Sequence, residues 1–182
     1  MPHVVISNVI GTMMLLMVLG IVTVIGSALT LQYSTQTAQV GLQEVASYVS
    51  GQMVSMASLV DSSQKANVAA FKFLNLPASL GYSGYSVNVT NALLSSLDTS
   101  GWKVVAYLDS NHNVWAEAAL NFQSGINVTL TGPSPYAFIT LTQMIHSGQG
   151  GALGSTAAVI VLQIVNGTAC ISLGVSSLGR HV

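Results

Sequence analysis

The chain carries very little charge. Of its 182 residues, 4 are Lys or Arg and 5 are Asp or Glu, so that 5% are charged, whereas about a quarter is usual in soluble proteins. Lys65, Lys72, Lys103 and Arg180 are the only basic side chains besides histidine. They cannot form the basic patch that neutralises phosphates, so we expect no nucleic-acid binding. So few charges also give little repulsion between copies, which favours association over a free monomer.

Groups that usually carry catalysis are scarce as well. Cys170 is the only cysteine, which excludes an internal disulfide and any CxxC motif. The histidines and the acidic residues are scattered, with no metal-ligand or paired-carboxylate spacing. Asp109, Ser110 and His112 share one predicted turn, but an Asn- and Asp-rich turn explains them without a catalytic role. We therefore predict that the protein is not an enzyme and that it uses no metal and no cofactor.

The longest feature that is present is an uncharged apolar run, VVISNVIGTMMLLMVLGIVTVIGSALTL (residues 4–31), and the first charged residue of the chain is Glu44. A secretory signal has a basic n-region and a shorter apolar core, so a cleaved signal peptide fits poorly. A membrane anchor fits the length. The basic and aromatic residues that usually flank an anchor are missing, however. The third interpretation is the buried rod of an assembly.

The helical pattern continues beyond this run. Six apolar residues recur at intervals of three or four and would share one helix face: Leu42, Val45, Val49, Met53, Met56 and Val60. We predict a single helix from Val4 to Asp61, about 85 Å long at about 1.5 Å per residue. Its second half needs a cover on one face, whereas its first half is apolar on all sides and requires burial in lipid or protein.

We assign the large side chains of this first half to the packed core of an assembly: Ile10, Met13, Met14, Met17, Leu19, Ile21, Val24, Ile25 and Leu29. The methionines among them could suggest a soft-metal site. At helical spacing within an apolar segment, packing between several copies of one helix explains them better, because methionine adapts to irregular contacts.

The remainder of the chain is of β type. Pro77, Gly81 and Gly84 break the helical pattern and mark a linker. After them, short runs rich in Val, Ile, Thr and aromatic residues alternate with turn residues, which predicts about six to eight strands in a small antiparallel sandwich or barrel-like head. SNHN (residues 110–113) reads as a hairpin loop. The predicted fold is therefore α+β, with a helix over 1–62, a linker over 63–86 and a β-rich head over 87–182.

Three N-x-S/T sequons lie in the predicted head, at Asn88, Asn127 and Asn166. Ordinary strand-end asparagines are one explanation of them. Glycosylation is the other, since glycans would supply the polarity that a charge-poor surface lacks. We treat the three asparagines as candidate sites for N-linked glycans.

The stretch ISNVIGT (residues 6–12) leads directly into the uncharged helix and resembles the start of archaeal type IV pilins. A long N-terminal helix followed by a β-rich head is also similar to that family, so the resemblance covers the architecture of the whole chain, although the motif itself is short. It implies a precursor in the cytoplasmic membrane, a dedicated assembly machinery, and an extracellular filament with helices inside and heads outside. No glutamate lies near the start of the helix, which differs from bacterial pilins.

We therefore expect a structural subunit of an archaeal adhesion pilus, assembled by packing of N-terminal helices. Its partners would be other copies of itself, membrane lipid before assembly, the pilus assembly machinery, and the surfaces or other cells to which the filament adheres. Two alternatives stay open: a single-pass anchored extracellular β domain with a binding or accessory role, for instance at an archaellum, and a filament-forming archaellin. An anchored monomer needs no apolar helix face beyond the membrane unless its own head covers that face.

Overall fold

The computed structural model describes residues 3–59, 69–81, 83–91, 101–122, 126–128, 134–147, 156–165 and 168–177. They form one helix, α1 (His3–Ala57), and nine strands: β1 (Ala69–Phe73), β2 (Tyr85–Thr90), β3 (Trp102–Leu108), β4 (Trp115–Leu120), β5 (Ile126–Val128), β6 (Ile139–Leu141), β7 (Met144–His146), β8 (Ala157–Val165) and β9 (Thr168–Ser176). The predicted α+β class is confirmed. The chain divides into two compact units, Met1–Thr37 and Ala38–Val182.

Helix α1 ends before the expected position at Asp61. Its last helical residue is Ala57, and the Leu59 N–H then donates to the Met56 carbonyl at 3.1 Å. This bond spans three residues instead of four, a tightening that is common where a helix terminates. Residues 60–68 lie outside the described part of the chain.

The strands of the second unit form two sheets. In the first sheet the order is β1-β8-β9, and both β5 and β6 pair with β9; in the second sheet the order is β4-β3-β2-β7. The pairings are antiparallel except that of β5 with β9, which is parallel. Strands β3 and β4 form a hairpin around SNHN, as predicted. Strand β4 belongs to the second sheet and β5 to the first. The parallel pairing of β5 with β9 requires a crossover connection instead of a hairpin.

The segment 63–86 is more than a linker, which corrects the domain boundaries predicted from sequence. It contains β1 and the start of β2. Strand β1 pairs with β8 over five residues, and Phe71 and Phe73 pack beside Val159 and Val161 on one face of the first sheet. The strand is stabilised by a partner about ninety residues away, so the local sequence, in which Pro77, Gly81 and Gly84 mark turns, could not reveal it.

The run AFITLTQMI (residues 137–145) is rich in apolar and β-branched residues without a turn residue, yet it contributes to two strands, β6 and β7. The chain passes from the first sheet to the second at Thr142 and Gln143. The Thr142 N–H donates to the Leu173 carbonyl at 3.0 Å, whereas the Gln143 carbonyl accepts from the Val89 N–H at 3.1 Å. This corner connects the two sheets along one side.

One hydrophobic core contains side chains from both sheets and from the part of α1 that lies in the second unit. Tyr85 is its largest fully buried side chain, and its hydroxyl donates to the Pro77 carbonyl at 2.6 Å. Burial raises the pKa of the Tyr85 phenol far above its ordinary value, because a phenolate would be poorly solvated there. The hydroxyl therefore remains a neutral donor that ties β2 to the loop before it.

A substitution at Gly174 in β9 tests how closely β6 packs against β9. A Cβ placed there would lie 2.9 Å from Ile139 Cγ2 and 3.1 Å from the Thr140 carbonyl oxygen. Gly174→Val should therefore push β6 away and lower the free energy of unfolding by about 1–3 kcal/mol, the usual cost of overpacking. Urea unfolding followed by circular dichroism measures the change. Gly51→Ala is the control, since nothing lies within 4 Å of a Cβ at that helical position, and equal effects of the two substitutions would contradict the packing described here.

Candidate assembly helix and polar groups of the head

The first unit contains the apolar half of α1, and its described side chains from Val9 to Thr37 are all exposed. The exposed fraction of its large apolar side chains runs from 49% at Leu29 to 73% at Met17. The predicted packing residues are among them: Ile10, Met13, Met14, Met17, Leu19, Ile21, Val24, Ile25 and Leu29. By length and composition, this helix is the one among the described residues that could cross a membrane, with a mean hydropathy of 2.5.

The few polar side chains of this segment are satisfied within the helix itself. Between Val9 and Leu31 they are four hydroxyls, and each donates to a carbonyl three or four residues earlier: Thr12 to Val9 at 3.0 Å, Thr23 to Leu19 at 2.8 Å, Ser27 to Val24 at 2.9 Å and Thr30 to Gly26 at 2.9 Å. A segment with this property can lie in dry surroundings without leaving a hydroxyl unpaired. It is therefore suited to lipid or to a bundle of helices.

The second half of α1 belongs to the core of the second unit. The predicted apolar face is buried there at five positions, Leu42, Val45, Val49, Met53 and Met56, whereas Val60 lies outside the described residues. Ala46 and Ala57 are buried as well, which the sequence did not single out because alanine is a weak signal of burial. The head thus covers this face within one chain, and the face is no evidence of contact between copies.

The same part of α1 also covers a sheet edge. Strand β4 is the outer strand of the second sheet, and an outer strand exposes carbonyl groups that can pair with another chain. The Gln43 amide donates to the Glu117 carbonyl at 3.1 Å, and the Ser50 hydroxyl donates to the Ala119 carbonyl at 2.7 Å. The helix therefore protects this edge from pairing with further strands.

Apolar surface is unevenly divided between the two units. In the described part of the second unit, Val40 and Leu59 are the exposed large hydrophobic residues; the others lie between Val9 and Tyr33. An exposed apolar surface as continuous as this one marks an interaction site in a functional protein. The helix segment 9–31 is therefore the candidate functional site.

The structure also brings together a serine, a histidine and an aspartate that are distant in sequence. Ser86 Oγ lies 2.5 Å from Asp109 Oδ1 and 2.6 Å from His146 Nδ1. Because a carboxylate only accepts, the hydroxyl donates its hydrogen to Asp109 and must accept one from His146 Nδ1–H. In a hydrolase triad the histidine instead accepts the serine proton. Since Ser86 is also fully buried, this group joins β2, β7 and the end of β3 and does not present a nucleophile.

The serine–histidine–aspartate set considered from sequence is not assembled. The Ser110 hydroxyl lies 2.6 Å from that of Ser83, and the His112 ring contacts Tyr107 edge to face, with ring centres 5.1 Å apart. Asp109 turns instead towards Ser86. Sequence spacing could not show the contacts among Ser86, Asp109 and His146, because these residues are far apart in the chain.

The remaining candidates are divided between the two sheets: Asn88 lies in the second sheet, whereas Asn127 and Cys170 are opposed to each other in the first. Asn88 is half-buried in β2, and Asn127 lies in β5; Asn166 and the side chain of Asn127 are outside the described part. Cys170 is half-buried in β9. Among the residues that the structure describes, no group of three or more His, Cys, Asp or Glu could hold a metal ion.

Comparison with protein-family models, curated proteins and solved structures finds no match to this chain. Its function is therefore inferred from the helix and the head themselves.

Proposed function

We propose that the protein is the structural subunit of an extracellular filament of the archaeal type IV pilus kind, used for adhesion to surfaces or other cells. Copies would pack through residues 9–31, with the heads outside. The observation that supports this is an apolar helix segment that is exposed on all sides and satisfies its own hydroxyls.

The energy available from this segment is large. Fifteen large apolar side chains lie exposed between Val9 and Leu31. At about 1.5–3 kcal/mol each, their removal from water is worth on the order of 20–45 kcal/mol per chain. A chain that starts in the cytoplasmic membrane gains less on assembly, because its helix is already in hydrocarbon; packing against other helices must supply the difference. The proposal therefore requires a precursor in the membrane and a machinery that extracts it.

A monomeric extracellular β domain, anchored by the same helix, is the second candidate. The observation that favours it is the burial of the face at Leu42, Val49 and Met53 by the chain's own head, since an anchored monomer can then exist without neighbours. An archaellin would share the filament and differ in that the filament rotates. The filament subunit and the anchored monomer differ in what surrounds residues 9–31, which is other copies of the helix in a filament and lipid in an anchored monomer.

Electron microscopy of material sheared from producing cells distinguishes the filament subunit from the anchored monomer. An antibody against the head should decorate filaments along their length, and mass spectrometry of the purified filaments should show this chain as the main component. Antibody binding confined to the membrane fraction, with no labelled filaments, would identify the anchored monomer instead.

The scarcity of charge leads to a prediction about the filament's resistance to salt. With nine charged side chains in the chain, ion pairs between copies are a minor contribution, at about 0–1 kcal/mol for each exposed pair. Filaments should therefore survive molar NaCl at pH 3 and at pH 9 and should dissolve in detergents that solvate apolar helices. Counting filaments by negative stain after each incubation measures this. Dissolution by salt alone would show that electrostatic contacts dominate the assembly.

A further inference from the structure

A cleft opens at the side of the head where the chain passes from the first sheet to the second. Its volume is about 430 Å³, and its lining comes from β6, β7 and β9 and from residues beside β8 and β9. Pockets that hold small molecules usually measure about 300–1,000 Å³. The cleft is therefore large enough for one small ligand.

Three hydroxyl groups in this lining can bond to a ligand. Among the residues that the structure describes, the hydroxyls of Thr140 and Thr156 have no hydrogen-bond partner, so each can donate one bond and accept others. The Ser177 hydroxyl donates to a backbone carbonyl at 3.2 Å and can still accept. The described lining contains no Lys, Arg, Asp or Glu, and Nδ1 of its His146 lies 2.6 Å from the Ser86 hydroxyl. These groups suit a neutral ligand that both donates and accepts hydrogen bonds.

Apolar groups lie beside the hydroxyls. Val175 is half-buried and lies directly opposite Thr140 in the pairing of β6 with β9, so the two side chains share a face. The thioether of Met144 also lines the cleft, and its sulfur accepts the Tyr107 hydroxyl at 2.6 Å. A pyranose ring carries C–H groups on its faces and hydroxyls around its rim. It therefore matches a wall of apolar carbon next to free hydroxyl groups.

The edge of β7 is not available to a peptide at this position. The Gln143 carbonyl and the Ser147 N–H bond to β2, so the backbone groups of Met144 point away from β2. The Thr142 hydroxyl accepts from the Met144 N–H at 3.2 Å and donates to the Met144 carbonyl at 2.9 Å. Because one side chain occupies both groups, a peptide strand cannot pair with Met144, which excludes the usual way of adding a strand to a sheet edge there.

We propose that this cleft binds one neutral pyranose sugar, with Thr140 and Thr156 bonded to its hydroxyls and Val175 against a face of its ring. On a filament that adheres to other cells, the sugar would be the terminal residue of a surface glycan. That use rests on the proposed function, whereas the binding itself does not.

Saturation-transfer difference NMR on the full chain tests the binding. The chain is dissolved in lauryldimethylamine oxide, a detergent without a sugar headgroup, and the methyl glycosides of glucose, mannose, galactose and N-acetylglucosamine are added one at a time. We expect at least one of them to bind with a millimolar dissociation constant. If none binds, the proposal is wrong. Because the measurement uses single chains in detergent, that result would leave the proposed filament unaffected, and an absence of filaments would not affect the sugar binding.

Substitutions in the cleft then locate the bound sugar. Thr140→Val combined with Thr156→Val keeps the side-chain volume, removes both hydroxyls and should weaken binding about fivefold or more, because two hydrogen bonds to the sugar are lost. Thr37→Val, the same change at an exposed position of α1, is the control and should leave binding unchanged.

Circular dichroism shows whether each variant is folded. If the double variant is not, Thr140→Val alone carries the test, since Thr140 is exposed, and about a twofold or larger loss is expected. An unchanged dissociation constant in the folded cleft variant would place the sugar elsewhere on the chain and overturn the proposal.

Discussion

Ile21→Asp should abolish filaments and leave the head folded. Ile21 lies in the middle of the apolar segment and is 58% exposed in the single chain, so the substitution disturbs no packing within the monomer. In a dry bundle or in lipid, a carboxylate costs several kcal/mol unless it becomes protonated or finds a partner. The sequence from residue 4 to residue 43 offers no charged side chain to pair with it. Electron microscopy of cells that express only this variant measures the effect, and limited proteolysis reports on the head.

Two matched substitutions serve as controls. Ile21→Leu keeps the apolar character and should give normal filaments. Asn111→Asp adds the same charge in the exposed turn between β3 and β4 and should also leave filaments intact. If cells with Ile21→Asp carry filaments in normal number, residues 9–31 are not the packed core of the assembly.

The second large effect concerns where the chain is cut. A fragment that begins at Ala38 should fold into a soluble monomer, whereas one that begins at Ser58 should not fold. Residues 38–57 contribute Leu42, Val49 and Met53, all fully buried, and cap the edge of β4 through Ser50. At about 1.5–3 kcal/mol for each large side chain removed from water, their loss approaches the whole stability of a typical domain, about 5–15 kcal/mol.

Thermal unfolding by circular dichroism and size-exclusion chromatography distinguish the outcomes. The fragment from Ala38 should unfold cooperatively and elute as a monomer, because its described surface exposes few large apolar side chains. Met53→Asp in that fragment is a control that should unfold it without shortening the chain. A cooperative transition in the fragment from Ser58 would show that the head does not depend on the helix, and oligomers of the fragment from Ala38 would place an assembly surface on the head.

What could be predicted from sequence followed from local periodicity. The recurrence of apolar residues between Leu42 and Met56 predicts an apolar helix face, whichever surface covers it. The absence of charge before Glu44 identifies the part of the helix that must be buried on all sides. The turn residues of SNHN, between two alternating runs, identified the β3–β4 hairpin in the same way. These features depend only on residues close together in the chain.

The features that sequence could not show depend on partners far along the chain. Strand β1 exists because β8 pairs with it. The bonds among Ser86, Asp109 and His146 require three elements to meet. The hydroxyls of the apolar helix are an intermediate case. Their bonds to the preceding turn are local, but the sequence does not show whether each hydroxyl bonds there or to a group outside the helix.

In the proposed filament, residues 9–31 are buried by other copies of the chain. In a Cys170→Ser background, Met17→Cys and Asn111→Cys place a single thiol in the apolar helix or in the exposed hairpin turn. Filaments sheared from cells and washed free of membrane are treated with a water-soluble maleimide, before and after they are dissolved in detergent. We expect rapid labelling at position 111 in both states, and labelling at position 17 only after dissolution. Equal labelling of the two positions in intact filaments would contradict the claim, because the apolar helix would then face water.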